Sequence, residues 1–271
     1  MENKSFYENV PPQKNNFSVK FREYDRQDEL LPHWHEHIEL LYFLEGECNL
    51  IIGGKHYTAR VGDTAVVNSG QIHSFRTAKP TRYYCILIYP EFLRDITGDP
   101  IYIKNVVYSD PYIGECMYYI KEESEKDDTG SAMMLKSHTY RLMAHLVRNH
   151  SAPPSAREDR RERAMHGRLE EVMLYVGESY ATSLTTARLA AMCYLTESHF
   201  CRFFKRQTGK TPMQYVNDLR VERATVLLES TDLPIGSVAA SVGFLDANYF
   251  ARVFKRAKGM SPAEYRRKSI K

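Results

Sequence analysis

The strongest constraint in this chain is that its last third says nearly the same thing twice. Phe200, Phe204, Lys205, Arg206, Gly209, Pro212 and Tyr215 recur fifty residues on as Phe250, Phe254, Lys255, Arg256, Gly259, Pro262 and Tyr265. A run of matches at one offset marks a duplicated structural unit. Upstream, Leu184, Leu189 and Ala190 correspond to Leu233, Val238 and Ala239 at an offset of forty-nine. The second copy therefore carries one extra residue, where a turn is expected.

Each copy reads as helix, short turn, helix. In the first, Leu189 and Met192 supply apolar positions, Cys193 to Leu195 interrupt, and Thr196 caps a helix with Phe200, Phe203 and Phe204 facing inward. In the second, Ile235, Val238, Ala239 and Val242 form the first helix, Gly243 permits the turn, and Asp246 caps a helix burying Phe250, Val253 and Phe254. Gly209 with Pro212, and Gly259 with Pro262, end one helix and open the next. This is a helix-turn-helix pattern, in which the second helix enters the major groove of DNA.

The outer faces of the two second helices are then Ser198, His199, Cys201, Arg202, Lys205 and Arg206 in one, and Asn248, Tyr249, Ala251, Arg252, Lys255 and Arg256 in the other. Arginine can pair with guanine and asparagine with adenine, while lysine neutralises phosphates. One such helix is equally a solvated basic face. Two with the same basic pair after the same phenylalanine point to double-stranded DNA.

Residues 166–271 accordingly resemble the DNA-binding domain of the AraC/XylS family of transcription regulators. The resemblance is carried by Ala239, Gly243, Phe244, Asp246, Tyr249, Phe250, Phe254, Lys255, Gly259, Ser261, Pro262 and Tyr265, with Gly236-Ser237 a departure where an acidic residue is usual. It implies two helix-turn-helix motifs joined by a long helix. From Pro212 to about Glu229 that helix would span roughly 27 Å, against about 34 Å between successive major grooves.

The 271 residues suit two domains, and the charge divides between them. Residues 1–165 hold 21 Lys and Arg against 24 Asp and Glu, a net of −3, whereas residues 166–271 hold 16 against 10, a net of +6. A basic domain tied to a mildly acidic one fits a polyanion binder with a separate sensing part. The first twenty residues lack the apolar core of a secretory signal, and the longest apolar runs, Leu40 to Leu44 and Cys85 to Tyr89, are far short of a membrane span. Cys48, Cys85, Cys116, Cys193 and Cys201 are scattered without a C-x-x-C pair, which argues against a disulfide framework or zinc finger and for a reducing cytoplasm.

Between residues 17 and 90 the pattern is short strands. Phe17, Val19 and Phe21 alternate; Ile38 to Leu44, Cys48 to Ile52, His56 to Ala59, Thr64 to Val67 and Tyr83 to Tyr89 follow, with a Gly53-Gly54 turn. Connections this short leave no room for crossover helices, so an antiparallel barrel or sandwich is expected. Inside it, His33, His35, Glu39 and Gly46 have the spacing H-x-H-x3-E-x6-G, and Gly62, Gly70 and His73 follow. These resemble the two motifs of the cupin jelly roll, although Asn68 and Thr77 stand where proline and asparagine are usual. The resemblance implies that His33, His35, Glu39 and His73 can hold one divalent metal ion. In AraC-type regulators the same strand often lines a ligand pocket or packs without metal, and no cofactor is required on that reading. His37 and His56 are expected at the surface.

A small-molecule effector in the barrel mouth is the role this domain implies. Arg22, Trp34, His35, Glu39, Tyr42, His73 and Arg82 are the candidate contacts, with Tyr83 or Tyr84 beside them. Aromatic faces with carboxylate and imidazole would suit a carbohydrate. From residue 110 the period becomes helical, through Tyr112, Cys116, Tyr119 and Ile120, then Met133, Met134, Tyr140, Leu142, Met143, Leu146 and Val147. In related regulators such a helix pair makes a homodimer contact. Residues 149–165, with two prolines and dense charge, read as a linker between residues 1–148 and 166–271.

The expectation is thus an α+β multidomain chain: an N-terminal antiparallel β jelly-roll (cupin) barrel with trailing helices, then an all-α domain with two helix-turn-helix motifs. Its function would be sequence-specific transcription control modulated by an effector, with RNA polymerase a partner if it activates. The alternative is a cupin metalloenzyme with an accessory helical domain.

Overall fold

The computed structural model describes residues 17–24, 29–93, 101–126, 128–152 and 160–269, and the side chains of 17–24 and 160–164 lie outside that description. The chain forms two compact units, Met1–Arg163 and Ala164–Lys271.

The first unit is a two-sheet sandwich. Its strands are β1 (Phe17–Tyr24), β2 (Glu29–His33), β3 (Ile38–Glu45), β4 (Glu47–Ile52), β5 (Lys55–Arg60), β6 (Thr64–Val67), β7 (His73–Thr77), β8 (Thr81–Ile88) and β9 (Val106–Val107). One sheet runs β1-β8-β3-β6-β9 and the other β2-β7-β4-β5, with every pairing antiparallel. Apart from the β4–β5 hairpin and the step from β8 to β9, consecutive strands alternate between sheets, the winding of a jelly roll. Leu41, Phe43, Leu50, Ile52, Phe75, Tyr83 and Leu87 fill the space between the sheets.

Strand β3 lacks the usual alternation of apolar and polar residues because both of its faces are covered. Leu40, Val66, Ile86 and Ile88 point the other way, into a second core closed by helices. After the short α1 (Pro90–Leu93), these are α2 (Pro111–Ser124) and α3 (Thr129–His150), which contribute Ile113, Met117, Ile120, Leu142, Met143 and Leu146. Asp110 caps α2 through the Tyr112 N–H, and Asp128 with Ser131 forms a capping box on α3. Gly130 lies in the first turn of α3. Asn68 departs from the cupin pattern with a structural use: its buried amide donates to the Ile103 carbonyl (2.9 Å) and accepts from the Ile103 N–H (2.8 Å).

The second unit consists of α4 (Arg160–Ser179), α5 (Thr186–Met192), α6 (Glu197–Thr208), α7 (Pro212–Ser230), α8 (Ile235–Ser241), α9 (Ala247–Lys258) and α10 (Pro262–Ser269). Because α3 runs to His150 and α4 begins at Arg160, the stretch between helices is shorter than the linker composition suggests. Residues 153–159 of that linker lie outside the described residues. Helix α7 is buried on both flanks: Tyr215, Val216 and Leu219 are buried near its start, and Val221, Ala224 and Leu228 join Val238, Val242, Phe250, Val253 and Phe254 in one core. It packs against both α5–α6 and α8–α9, and so braces the two motifs as one body.

Candidate functional site

The outer faces of α6 and α9 follow from what their inner faces must do. Phe200, Phe203 and Phe204 are buried on α6, and Phe250, Val253 and Phe254 on α9. Helical spacing then turns the residues between them outward. Ser198, His199, Arg202, Lys205 and Arg206 are exposed with Cys201 half-buried, and Asn248, Tyr249, Arg252, Lys255 and Arg256 are exposed with Ala251 half-buried. Thr196 caps α6 through the His199 N–H, and Asp246 caps α9 through the N–H groups of Asn248 and Tyr249. Both helices end at a left-handed glycine, Gly209 (φ 77°) and Gly259 (φ 73°).

Two neighbouring lysines are tied to acids of the same domain. Lys210 is held by Asp218 (2.6 Å) and Lys258 by Glu222 (2.6 Å), whereas Arg206 and Arg252 lie over the Phe203 and Tyr249 rings. Tyr249 is fixed in turn, its hydroxyl accepting from the Asn217 amide of α7 (3.1 Å). This last link was not visible in the sequence, where Asn217 and Tyr249 are thirty-two residues apart.

In the N-terminal unit, His33, His35, Glu39 and His73 come together with ligand atoms within 4.8 Å of one another, all four buried. A single extended strand does not achieve this. His33 ends β2 in one sheet, opposite His73 of β7, and Glu39 lies on β3 of the other sheet; His35 lies on the connection between them. Each imidazole Nδ1 faces a backbone carbonyl, of Leu31 (3.0 Å), His37 (2.9 Å) and Gln71 (3.0 Å) respectively. These contacts place the ring protons on Nδ1 and aim the Nε2 lone pairs inward, as metal-binding histidines require.

The Nε2 atoms of His35 and His73 lie 3.4 and 3.2 Å from the same Glu39 oxygen. A neutral imidazole has one N–H, so two acceptors per ring call for either an added proton on each ring or a shared cation. Burial, reinforced by the charges of His73 and His35, pushes His33 well below the usual histidine range. Burial would push Glu39 up, but the hydrogen bonds and charges of His35 and His73 outweigh it and hold the carboxyl well below the usual range. The donors thus fit a divalent transition metal.

The other candidate effector contacts divide. Trp34 is half-buried next to the cluster in sequence, but Tyr42 lies on the opposite face of β3, against α2, where a Cβ on Gly114 would come within 2.6 Å of its hydroxyl. Arg82 pairs with Glu45 (2.6 Å) at the sheet end. Tyr83 sits in the inter-sheet core and Tyr84 on the helix-facing side. The Arg22 side chain lies outside the described residues. His56 is exposed as expected, but His37 is buried, its ring stacked 3.6 Å from His35 and tilted towards Tyr89 at 5.2 Å. Cys85 was also missed: its thiol donates to Glu39 (3.2 Å). Inward alternation along β8 through Tyr83 and Leu87 was the available signal for it.

Residues 18–143 match the AraC-like ligand binding domain, and residues 189–268 match a helix-turn-helix domain. Together the two spans cover most of the chain, which belongs to the AraC-type regulators: it is a DNA-binding transcription regulator with an N-terminal ligand-binding domain, not an enzyme. It is 24% identical over 225 residues to the HTH-type transcriptional regulator YdeC of Bacillus subtilis, covering 78% of this chain and 77% of that one. It is 26% identical over 236 residues to the HTH-type transcriptional activator RhaR of Cronobacter sakazakii, covering 81% of each. Among solved structures, ToxT of Vibrio cholerae aligns with a TM-score of 0.49 and 14% identity, over 94% of this chain and 98% of that one. Among the described residues no helix is long and apolar enough to cross a membrane.

Proposed function

We propose that α6 and α9 read two neighbouring major-groove segments of one operator in the cytoplasm. Arg202, Asn248 and Arg252 would meet base edges, and Lys205, Arg206, Lys255 and Arg256 phosphates, with Ser198, His199, Cys201, Tyr249 and Ala251 completing the two surfaces. The observation that carries this is the paired outward ladder of basic residues on helices whose inner faces are committed to one shared core. The test is fluorescence anisotropy against an operator selected from random duplexes. Arg202→Ala and Arg252→Ala should each cost about 1 to 3 kcal/mol and relax base preference, whereas Lys255→Ala should weaken all duplexes and lower the salt slope by about one. Operator affinity unchanged in both arginine variants would refute the contact assignment.

The polar end of the sandwich is the effector site in this reading, with His33, His35, Glu39 and His73 holding one divalent ion and Trp34 beside them. Carboxylate, imidazole and indole together favour a small oxygen-rich effector such as a carbohydrate. Such a ligand acts on DNA binding only to the extent that it binds one state of the protein better. The exposed Tyr118, Met133 and Met134 on α2 and α3 support a second copy of the chain as partner. The name of RhaR, a transcriptional activator, favours activation through RNA polymerase. Elemental analysis of protein purified without added metal should find one ion lost on Glu39→Gln, and an equal metal content in that variant would refute the metal assignment.

A further inference from the structure

A second convergence of ligand-type side chains lies apart from the effector site. Asp110 caps α2 with Oδ1, which accepts from the Tyr112 N–H at 3.0 Å. Its other oxygen, Oδ2, meets His145 Nε2 at 2.8 Å and His150 Nε2 at 2.7 Å, both from the last turns of α3. The three residues are half-buried, and their ligand atoms lie within 4.8 Å of one another.

Each member is positioned by something other than its neighbours in the cluster. The His145 ring stacks on Tyr112 with centroids 4.4 Å apart. The His150 carbonyl accepts from the Lys104 N–H (2.9 Å), and just beyond it Ser151 bridges to Ile103 while the Ala152 N–H donates to the Tyr102 carbonyl (3.0 Å). Burial opposes ionisation of Asp110, but the bonds from His145, His150 and the Tyr112 N–H hold its pKa down at about 2. The cluster therefore presents one carboxylate and two imidazoles on a scaffold fixed at three separate points.

We propose that Asp110, His145 and His150 form a site for a divalent transition-metal ion such as zinc. Metal bonds of about 2.0 to 2.1 Å at tetrahedral angles put neighbouring ligand atoms roughly 3.3 Å apart. The two separations at Oδ2 need open by only about half an ångström to admit the ion, which side-chain rotation supplies. On binding, each imidazole ligates through Nε2 and carries its N–H on Nδ1. The Asn149 amide, 3.1 Å from His145 Nδ1, also donates to the His145 carbonyl (3.2 Å), and gives up that bond when it rotates its oxygen to accept the Nδ1 proton. Three protein ligands leave a coordination position for water or an incoming ligand, as in exchangeable sites rather than closed structural ones. The ion would clamp the start of α2 to the end of α3, two residues before Ala152, where the described part of the N-terminal unit ends its pairing with Tyr102 and Ile103.

The test is equilibrium dialysis of the full chain, stripped by chelator, against buffered zinc with elemental analysis, and cobalt absorption as a second readout. Asp110→Asn keeps a capping side chain on α2 and removes the anionic ligand; it should weaken zinc at this site at least tenfold. The pair His145→Gln with His150→Gln should lower the zinc content by one ion per chain. Both effects are differences from the wild-type chain, so they hold whether or not Glu39→Gln removes a further ion from the effector site. Circular dichroism establishes that each variant is folded, and Asp110→Asn decides the matter should the double variant unfold. Zinc content and affinity equal to wild type in folded Asp110→Asn would overturn the proposal, as would a zinc content that falls only with Glu39→Gln.

Discussion

Replacing Gly243 with alanine should damage the second helix-turn-helix far more than one methyl group suggests. Gly243 follows α8 with φ at +91°, a region in which an L side chain meets the backbone at a cost of about 1 to 2 kcal/mol. A Cβ there would also lie 2.8 Å from the Ala181 oxygen and 2.9 Å from both its carbonyl carbon and its Cα. All three are backbone atoms, so no rotamer change relieves the contact. Nor can that backbone readily shift, because Arg220 holds the carbonyls on either side of it, Tyr180 (2.8 Å) and Thr182 (2.9 Å). Overpacking of this kind adds about 1 to 3 kcal/mol, for a total of roughly 2 to 5 kcal/mol against a typical domain stability of about 5 to 15 kcal/mol.

Gly259 provides the control. It has a similar φ of +73°, but nothing lies within 4 Å of its Cβ position. Gly259→Ala therefore carries the backbone cost alone. Native-state hydrogen exchange on the full chain, followed at the amides of α8 and α9, reads the difference directly. At about 1.4 kcal/mol per decade, Gly243→Ala should lose roughly 30- to 4000-fold in protection and Gly259→Ala no more than about 30-fold. Equal losses in the two variants would show that the close approach to Ala181 does not constrain the turn.

Three further outcomes follow from the same coordinates. Arg220→Met removes two charge-assisted bonds to the Tyr180 and Thr182 carbonyls and should cost about 3 kcal/mol in a urea melt. Arg220→Lys should recover at most half, since an ammonium lacks the planar fork, and full recovery would refute this. Asp246 is held below its ordinary carboxylate range by the N–H groups of Tyr249 and Asn248. Its contribution to α9 is thus complete above the ordinary range and lost as pH falls through the lowered value. Asp246→Asn should remove that acid step from the exchange of the α9 amides, and an identical acid profile would count against it. Burial pushes the Cys48 thiol up to about 12 and Cys193 to about 11, Cys85 and Cys116 are buried, and Cys201 alone is half-exposed. A thiol reagent should modify one cysteine quickly, and more slowly with operator DNA bound; a second thiol reacting at the same rate would refute the assignment.

What was legible in the sequence was whatever depends on near neighbours. Thr196, Asp246, Gly209 and Gly259 cap their helices as their types dictate, and the phenylalanine spacing placed the buried faces of α6 and α9 correctly. Strands β2 and β7 were not read as strands. The first is five residues with Pro32 in it, and the second is five residues of mixed polarity whose pairing partners come from elsewhere in the chain. The faces of β3 were also hidden, because a strand covered on both sides has no polar side to orient it. That is why Tyr42, which packs towards α2, could be mistaken for a lining residue beside Glu39. His37 was expected at the surface on composition, but the turn between the sheets stacks it on His35. Asp110, His145 and His150 are up to forty residues apart, and only the packing of α2 on α3 brings them together.

The duplication has a consequence for recognition that differs from its consequence for stability. Large-to-small changes among Phe200, Phe204, Phe250 and Phe254 would each cost about 3 to 5 kcal/mol, so the buried halves of the two motifs are bound to stay alike. Changes at exposed positions such as Ser198, His199, Asn248 and Ala247 typically cost within about 0.5 kcal/mol, so the outward halves are free to diverge. They have diverged: serine, histidine and cysteine at 198, 199 and 201 stand where asparagine, tyrosine and alanine stand at 248, 249 and 251. The basic residues that would meet phosphate, Lys205-Arg206 and Lys255-Arg256, are identical, and so are Arg202 and Arg252. On the proposed contacts, one chain therefore grips DNA alike at two places and reads one base alike through Arg202 and Arg252, but reads unlike bases beside it. Its operator should be two subsites about one helical turn apart that share the base met by the arginine and differ beside it, and any palindrome in it must come from a second chain.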